Sequence, residues 1–396
     1  MVKEALLPAT SIAPACERVT TVPINEERAF AGWQQDIPLA YRRLTAPDLL
    51  ERIATAKRKL GDRLAILGHH YQREDVIRFA DQRGDSFKLA QWAAGHAEAE
   101  YLVLCGVHFM AESADVLCAP HQKVILPNLA AGCSMADMAT PRDVLSCWEE
   151  LVAAGIAEDT LPLTYINSAA SLKAFCGERG GAVCTSSNAP AVLRWAMAQK
   201  RRVLFFPDQH LGRVTAHALG VALDEMPLWD YELFPGRLGG STLETVRASR
   251  VILWKGYCGV HQRFTVDQIR QARERYPDIR VVVHPECRLE VIEAADSYGS
   301  TEHIIQAVGG SAPGSRWAVG TEANLVARLA RENPDKLVVS LEPEPCACTT
   351  MYRIHPAYLC WVLERLVDGE VVNRVTVEPE TARWAKLALE RMLAVR

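Results

Sequence analysis

The 396-residue sequence predicts an α/β protein of three similar α/β/α sandwich domains, with parallel sheets around a pseudo-threefold axis and a central active-site cavity. Three observations predict this fold. Helical and strand patterns alternate from Thr45 onward, as is typical of parallel sheets. One order of elements occurs three times along the chain. Polar residues follow the aliphatic strands, at the edge where open α/β sheets bind their ligands.

Each repeat opens with a helix that has a threonine cap and an acidic residue in its first turn. We predict these helices from Thr45 to about Leu60, from Thr140 to about Ala154 and from Thr265 to about Tyr276. An aliphatic strand follows each helix. The three strands end in the sequences Gly68-His-His-Tyr71, Tyr165-Ile-Asn167 and His284-Pro-Glu286.

Each repeat continues with a hydroxyl residue that opens a second helix, and it closes with a strand that leads to a cysteine. The hydroxyl residues are Ser86, Ser186 and Thr301, and the cysteines are Cys133, Cys258 and Cys348. Two intervals recur: 17 residues separate His69 from Ser86 and His284 from Thr301, and 64 separate His69 from Cys133 and His284 from Cys348. The middle repeat is longer, partly through a glycine-rich insertion at 177–181.

The repeat divides the chain into five parts. They are an N-terminal extension (1–44), three α/β domains (45–139, 140–263 and 264–360) and a C-terminal helical segment (361–396). Each domain then carries one of the three cysteines.

Composition excludes several classes of protein. The net charge is −4 and no basic block exists, which argues against nucleic-acid and anionic-membrane partners. No uncharged apolar stretch reaches the roughly 18 residues that a membrane span needs, and the N-terminus does not resemble a signal peptide. We therefore expect a cytoplasmic protein whose twelve cysteines stay reduced.

Three domains around one axis would bring the polar strand ends and the three cysteines into one cavity. Three soft thiolates favour either an iron–sulfur cluster or zinc. A cluster with three cysteine ligands leaves one iron open to act as a Lewis acid. The cysteines are 125 and 90 residues apart, so they form no local metal motif, and their spacing alone leaves both metals open.

Several motifs, in order over about residues 60–360, resemble the quinolinate synthase family. Among them are Ile66-Leu-Gly-His-His-Tyr-Gln, Ala131-Gly-Cys-Ser-Met-Ala-Asp, Tyr257-Cys-Gly-Val-His, Val283-His-Pro-Glu-Cys and Cys348-Thr-Thr-Met. The resemblance implies condensation of iminoaspartate with dihydroxyacetone phosphate to quinolinate, phosphate and water in NAD biosynthesis. It also implies functional coupling to L-aspartate oxidase.

The resemblance further implies a [4Fe-4S] cluster on Cys133, Cys258 and Cys348. Cys346 is an alternative third ligand, but the motif and the 64-residue interval favour Cys348. The implied substrate-binding residues are His69, Ser86, Met110, Tyr165, Asn167, Ser186, His284, Glu286 and Thr301. The candidate catalytic residues are Tyr71, Glu286, His69 and His284.

Two other functions remain open at the level of sequence. The first is a zinc-dependent hydrolase or lyase that uses the same cysteines or the histidines. The second is a non-enzymatic metabolite or redox sensor with a repeated α/β body. Iron–sulfur absorption near 400 nm would distinguish a cluster from zinc, and a sensor would need a partner surface that the sequence does not show.

Overall fold

The structure is a computed structural model that describes residues 36–344 and 347–395. Cys16, most of the predicted N-terminal extension and Cys346 lie outside the described residues. Within them the chain forms three parallel-stranded sheets, which confirms the α/β fold class. None of the helices in these ranges combines the length and apolar character that crossing a membrane requires.

Strands and helices alternate along the described chain. The strands are β1 (Leu64–His69), β2 (Gln82–Gly84), β3 (Tyr101–Cys105), β4 (Lys123–Ile125), β5 (Thr160–Tyr165), β6 (Ala182–Cys184), β7 (Arg202–Phe206), β8 (Leu228–Trp229), β9 (Val251–Trp254), β10 (Arg280–Val283), β11 (Ser297–Tyr298), β12 (Arg316–Gly320), β13 (Leu337–Ser340) and β14 (Arg374–Val375). The helices are α1 (Leu39–Arg42), α2 (Ala46–Leu60), α3 (Glu74–Ile77), α4 (Ser86–Gly95), α5 (His108–Leu117), α6 (Ser134–Asp137), α7 (Pro141–Ala153), α8 (Ala170–Glu178), α9 (Ala189–Gln199), α10 (Gln209–Ala218), α11 (Leu243–Ala248), α12 (Val266–Arg275), α13 (Leu289–Ala294), α14 (Thr301–Gly309), α15 (Ala323–Glu332), α16 (Pro356–Val367) and α17 (Pro379–Ala394).

Each predicted domain range contains the parallel strands of one sheet, and β14 of the C-terminal segment joins the first sheet. The strand orders are β14-β4-β3-β1-β2 in the first sheet, β6-β5-β7-β9-β8 in the second and β11-β10-β12-β13 in the third. All pairings are parallel except that of β14 with β4. The pseudo-threefold relation between the sheets stays a prediction.

The central strands are aliphatic because helices cover both faces of a parallel sheet. Every residue of β1, β3, β5, β7 and β9 is buried. The predicted helix starts are also confirmed. The side chains of Thr45, Thr140 and Thr265 each accept a backbone N–H three residues on, which satisfies a donor that the helix leaves free.

The strand registers place the predicted hydroxyl residues beside the first strand of each repeat. His69 pairs with Gly84, Tyr165 pairs with Cys184, and Val283 pairs with Tyr298. Ser86, Ser186 and Thr301 follow two or three residues after those partners. The equal intervals in the sequence therefore reflect equal pairings in the sheets.

The C-terminal segment is integrated into the rest of the fold. The predicted boundary between residues 360 and 361 falls inside α16, which packs on α2. β14 extends the first sheet, and α17 packs on α8 beside the second sheet. Near its end, the backbone carbonyl of Met392 accepts a hydrogen bond from Asn188 Nδ2 (3.2 Å). The segment therefore joins two sheets and supports the turn that carries Ser186.

Gly177, in the predicted insertion, allows the close approach of α8 and α17. A Cβ atom at this position would lie 1.9 Å from the backbone carbonyl oxygen of Trp384. We expect Gly177→Ala to lower the free energy of unfolding by about 3 kcal/mol, because the two backbones would have to separate. Gly309→Ala is the matched control. Gly309 also ends a helix, but no atom lies within 4 Å of its Cβ position.

Denaturant unfolding of both variants measures this effect. The control should stay within about 1 kcal/mol of the unsubstituted protein, on the stabilising side. Equal stability of the two variants would contradict the packing explanation.

Candidate active site

A partly enclosed cavity lies at the carboxyl ends of strands from all three sheets. Together with the solvent at its opening it holds about 620 Å³ of space free of atoms. Twelve of the thirteen predicted site residues line it: His69, Tyr71, Ser86 and Cys133 from the first domain range, Tyr165, Asn167, Ser186 and Cys258 from the second, and His284, Glu286, Thr301 and Cys348 from the third. The fold therefore assembles residues that lie far apart in sequence.

The three cysteines enter the cavity from loops that follow β4, β9 and β13. They are partly exposed to the cavity, yet protein surrounds each thiol closely enough that burial raises its pKa, for Cys133 to about 12. Cys348 further raises the pKa of Cys133, and both raise the pKa of Cys258. The three thiols are therefore close enough to interact electrostatically.

His69 and His284 occupy matching positions at the ends of β1 and β10. The Nδ1 atom of His69 accepts the backbone N–H of Tyr71 (3.1 Å), and that of His284 accepts the N–H of Glu286 (3.4 Å). Burial lowers the pKa of both imidazoles to about 3, so both are neutral near pH 7. With Nδ1 accepting, each ring carries its proton on Nε2 and is an uncharged hydrogen-bond donor.

A hydrogen-bonded chain crosses the cavity wall and ends at Glu286. Because a carboxylate only accepts, His261 donates from Nδ1 to Glu286 Oε2 (2.7 Å), which leaves His261 Nε2 as an acceptor. Thr321 Oγ1 lies 3.1 Å from that nitrogen and can donate to it. The Tyr71 hydroxyl lies 2.8 Å from Thr321 Oγ1, and Thr301 donates to the Tyr71 oxygen (3.3 Å). All donors in this chain can point toward the carboxylate.

Glu286 is held as a carboxylate at the centre of the cavity wall. The Tyr165 hydroxyl donates to its Oε1 (2.6 Å). Burial alone would raise the pKa of Glu286, but His284, His261 and the Tyr165 hydroxyl together lower it. In turn, burial and the Glu286 charge raise the pKa of Tyr165 and of Tyr71, so both tyrosines remain protonated.

The cavity could in principle hold a single ion as well as a cluster. Among residues 36–344 and 347–395, Cys258, His261 and Glu286 form one group whose donor atoms all lie within 4.8 Å of one another. The three cysteines do not form such a group. A tetrahedral zinc with Zn–S bonds of about 2.3 Å would need thiols about 3.8 Å apart, so the three thiols are not all close enough to share one such ion.

Comparison with known proteins identifies the family. The family model described as quinolinate synthetase A protein matches residues 51–394. The chain belongs to the quinolinate synthetase A family. It is 54% identical over 368 residues to a quinolinate synthase of Corynebacterium glutamicum, covering 93% of this chain and 92% of that protein. It is 55% identical over 353 residues to a quinolinate synthase of Streptomyces coelicolor, with 88% and 89% covered.

For this member of the quinolinate synthetase A family, the structure places two of the predicted site residues differently from the prediction. Met110 is not among the residues that line the cavity. It packs beneath Gly106, and Phe109 lines the cavity instead. Consecutive helical residues point about 100° apart, so the two side chains of α5 cannot share one direction.

Ser186 also differs from the prediction, because it does not open a helix. It lies in a turn in which Asn188 Oδ1 accepts the N–H of Thr185 (2.7 Å), and Pro190 helps to fix the start of α9 at Ala189. Ser86 and Thr301 do open helices, as predicted.

Sequence reasoning assigned no role to His261 and Thr321. His261 belongs to the Tyr257-Cys-Gly-Val-His motif, and Thr321 follows β12 at the ligand-binding edge of its sheet. The one sequence signal that could have indicated a role for Thr321 is its position directly after a strand. Because neither residue lines the cavity, their importance becomes visible only from the hydrogen bonds behind Glu286 and Tyr71.

We expect His261→Gln to lower kcat at least about 100-fold with little change in KM, because His261 contacts Glu286 and not the cavity. Anaerobic steady-state kinetics with a metal analysis of each preparation measures this. His303→Gln, an exposed histidine of α14, is the control and should match the unsubstituted enzyme. A rise in KM with unchanged kcat would contradict a role in proton movement.

Proposed function

We propose that the chain condenses iminoaspartate with dihydroxyacetone phosphate to give quinolinate, phosphate and two molecules of water, as a step of NAD biosynthesis. The observation that carries the proposal is the convergence of three cysteines, one from each sheet's strand ends, on one cavity lined by uncharged donors and by the carboxylates of Asp85 and Glu286. The names of the relatives support the same reaction class.

A [4Fe-4S] cluster fits the donors of the cavity. Cys133, Cys258 and Cys348 would hold it, because their thiols reach one cavity but are not all close enough to share a single ion. When bound, such a cluster supplies one iron without a protein ligand, which acts as a Lewis acid toward oxygen or nitrogen atoms. Burial keeps the free thiols protonated, so loading must release protons and should be favoured by higher pH.

The substrates and product carry carboxylate and phosphate groups, and the cavity offers neutral donors for them. His69 and His284 present Nε2–H groups, and Asn167 adds an amide. The Ser86 hydroxyl adds a further uncharged donor at the start of α4, which the Asp85 carboxylate caps by accepting the Lys88 N–H. Because these donors are uncharged, they orient an anion without fixing it as tightly as an arginine pair would.

Proton transfers during carbonyl isomerisation, ring closure and water loss are assigned to Tyr71 and Glu286. Tyr71 lines the cavity and passes a proton toward Glu286 through Thr321 and His261. A proton that Tyr71 releases can move through Thr321 to His261, and the Glu286 carboxylate, which stays ionised, stabilises the charge on that ring.

Anaerobic reconstitution with iron and sulfide tests the proposal directly. Iminoaspartate, generated in the assay by L-aspartate oxidase, and dihydroxyacetone phosphate are supplied, and quinolinate is measured by chromatography. We propose that the same oxidase supplies iminoaspartate to this protein in the cytoplasm. We expect quinolinate only from the reconstituted protein. Absence of product from protein that contains a full cluster would contradict the proposal.

A zinc enzyme is the second candidate, because Cys258, His261 and Glu286 are zinc ligands in character and lie close together. This candidate predicts activity in protein loaded with zinc and no sulfide. The proposed function predicts that such protein is inactive.

A further inference from the structure

Glu322 is a fully buried carboxylate between β12 and α15. Its Oε2 accepts the backbone N–H groups of Asn324 (2.8 Å) and Leu325 (3.2 Å), which caps α15. Its Oε1 accepts the side-chain amide of Asn324 (2.9 Å) and the backbone N–H of Cys348 (3.1 Å). One carboxylate therefore joins a helix start to a proposed cluster ligand.

Cys348 lies outside the described helices and strands, shortly before the turn that begins at Thr349. Its carbonyl accepts the N–H of Tyr352 (2.9 Å), and its thiol lies 3.4 Å from the Thr350 hydroxyl. Glu322, which lies 26 residues earlier in the chain, accepts the backbone N–H of Cys348.

The segment that carries Glu322, residues 321–324, reaches Tyr71 of the first sheet at two places. Asn324 Nδ2 donates to the backbone carbonyl of Tyr71 (3.3 Å), and Thr321 Oγ1 contacts the Tyr71 hydroxyl (2.8 Å). The contacts of Glu322 and Asn324 thus set the backbone of Cys348 relative to a candidate catalytic residue.

We propose that Glu322 is a positioning residue that holds the Cys348 backbone and thereby governs how firmly the third thiolate retains the cluster. The inference rests on the proposed function, because it concerns a cluster ligand. Glu322 does not line the cavity, so it acts through Cys348 and not on the substrate.

Glu322→Gln tests the proposal with the smallest change of shape. All four partners of the carboxylate are N–H donors, so in either orientation the amide NH₂ faces two of them and loses those hydrogen bonds. We expect the reconstituted variant to lose iron to a chelator under nitrogen about tenfold faster than the unsubstituted protein, as for other residues that support a metal ligand.

Asp208→Asn is the matched control. Asp208 is also fully buried and follows β7 as Glu322 follows β12, and its Oδ1 caps α10 by accepting the N–H groups of His210 (2.7 Å) and Leu211 (2.9 Å). Within residues 36–344 and 347–395 its Oδ2 has no hydrogen-bond partner, so an amide NH₂ there displaces no described donor. We expect this variant to lose iron within twofold of the unsubstituted rate.

Thermal unfolding of the cluster-free proteins separates retention of the cluster from general stability. The proposal predicts that Glu322→Gln loses iron faster than a variant whose cluster-free form has the same thermal midpoint. Equal iron loss in Glu322→Gln and the unsubstituted protein would overturn the inference, as would equal acceleration in Asp208→Asn. Failure of the unsubstituted protein to take up iron and sulfide would instead overturn the proposed function.

Asn324→Ala provides a second variant should Glu322→Gln not fold. It leaves the carboxylate and both backbone bonds of the helix cap, but removes the amide that holds Oε1. We expect iron loss two- to threefold faster than in the unsubstituted protein. An unchanged rate in this variant would count against Glu322 as the positioning group.

Discussion

Serine in place of any one of Cys133, Cys258 and Cys348 is expected to lower quinolinate formation at least about 100-fold and to prevent stable cluster assembly. Each thiol comes from a different sheet, so no neighbouring cysteine among the residues that line the cavity can replace it. A serine hydroxyl is a harder and poorer ligand for iron than a thiolate. Iron and sulfide analysis with absorption near 400 nm, after anaerobic reconstitution, measures the loss for each variant.

Cys118→Ser is the matched control for these three variants. Cys118 is partly exposed, directly follows α5 and does not line the cavity, and its thiol donates to the backbone carbonyl of Asp115 (3.5 Å). It should retain both the cluster and the activity. A full cluster in any of the three cavity variants would contradict the assignment of that cysteine as a ligand.

Glu286→Gln is expected to keep the cluster and to lower kcat about 100- to 1,000-fold. The amide is nearly the same size, but it cannot carry the charge that ends the hydrogen-bonded chain from Tyr71. It also cannot accept from both Tyr165 and His261, so one of those buried groups loses its partner. Single-turnover and steady-state kinetics on protein of known iron content measure the effect.

Glu342→Gln is the control for this change within the same domain. Glu342 is largely buried and pairs with Arg263, and it does not line the cavity. It should change kcat less than about threefold. Near-normal turnover in Glu286→Gln would remove the carboxylate from the proton transfers and leave it a structural role.

The elements that local chemistry determines could be predicted from the sequence. Thr45, Thr140 and Thr265 marked the helix starts, because a cap residue and the backbone N–H that donates to it lie within one turn. The ends of the aliphatic strands marked the cavity, because parallel strands share a ligand-binding edge. The family resemblance then selected residues at those ends.

The remaining features depend on contacts between distant segments. The direction of Met110 depends on how α5 is rotated against β3, and the place of β14 depends on pairing across about 250 residues. His261 and Glu322 act behind the cavity wall through bonds to other sheets and loops. No periodicity of the chain encodes such contacts, so a sequence pattern could not reveal them.

Metal and sulfide analysis of the unsubstituted protein, combined with Mössbauer spectroscopy of iron-57-reconstituted samples, tests the central claim most directly. The account predicts about four iron and four sulfide per chain, with one iron whose signal changes when quinolinate is added, because that iron has no protein ligand. One zinc ion per chain without sulfide, or four iron sites that do not respond to quinolinate, would contradict it.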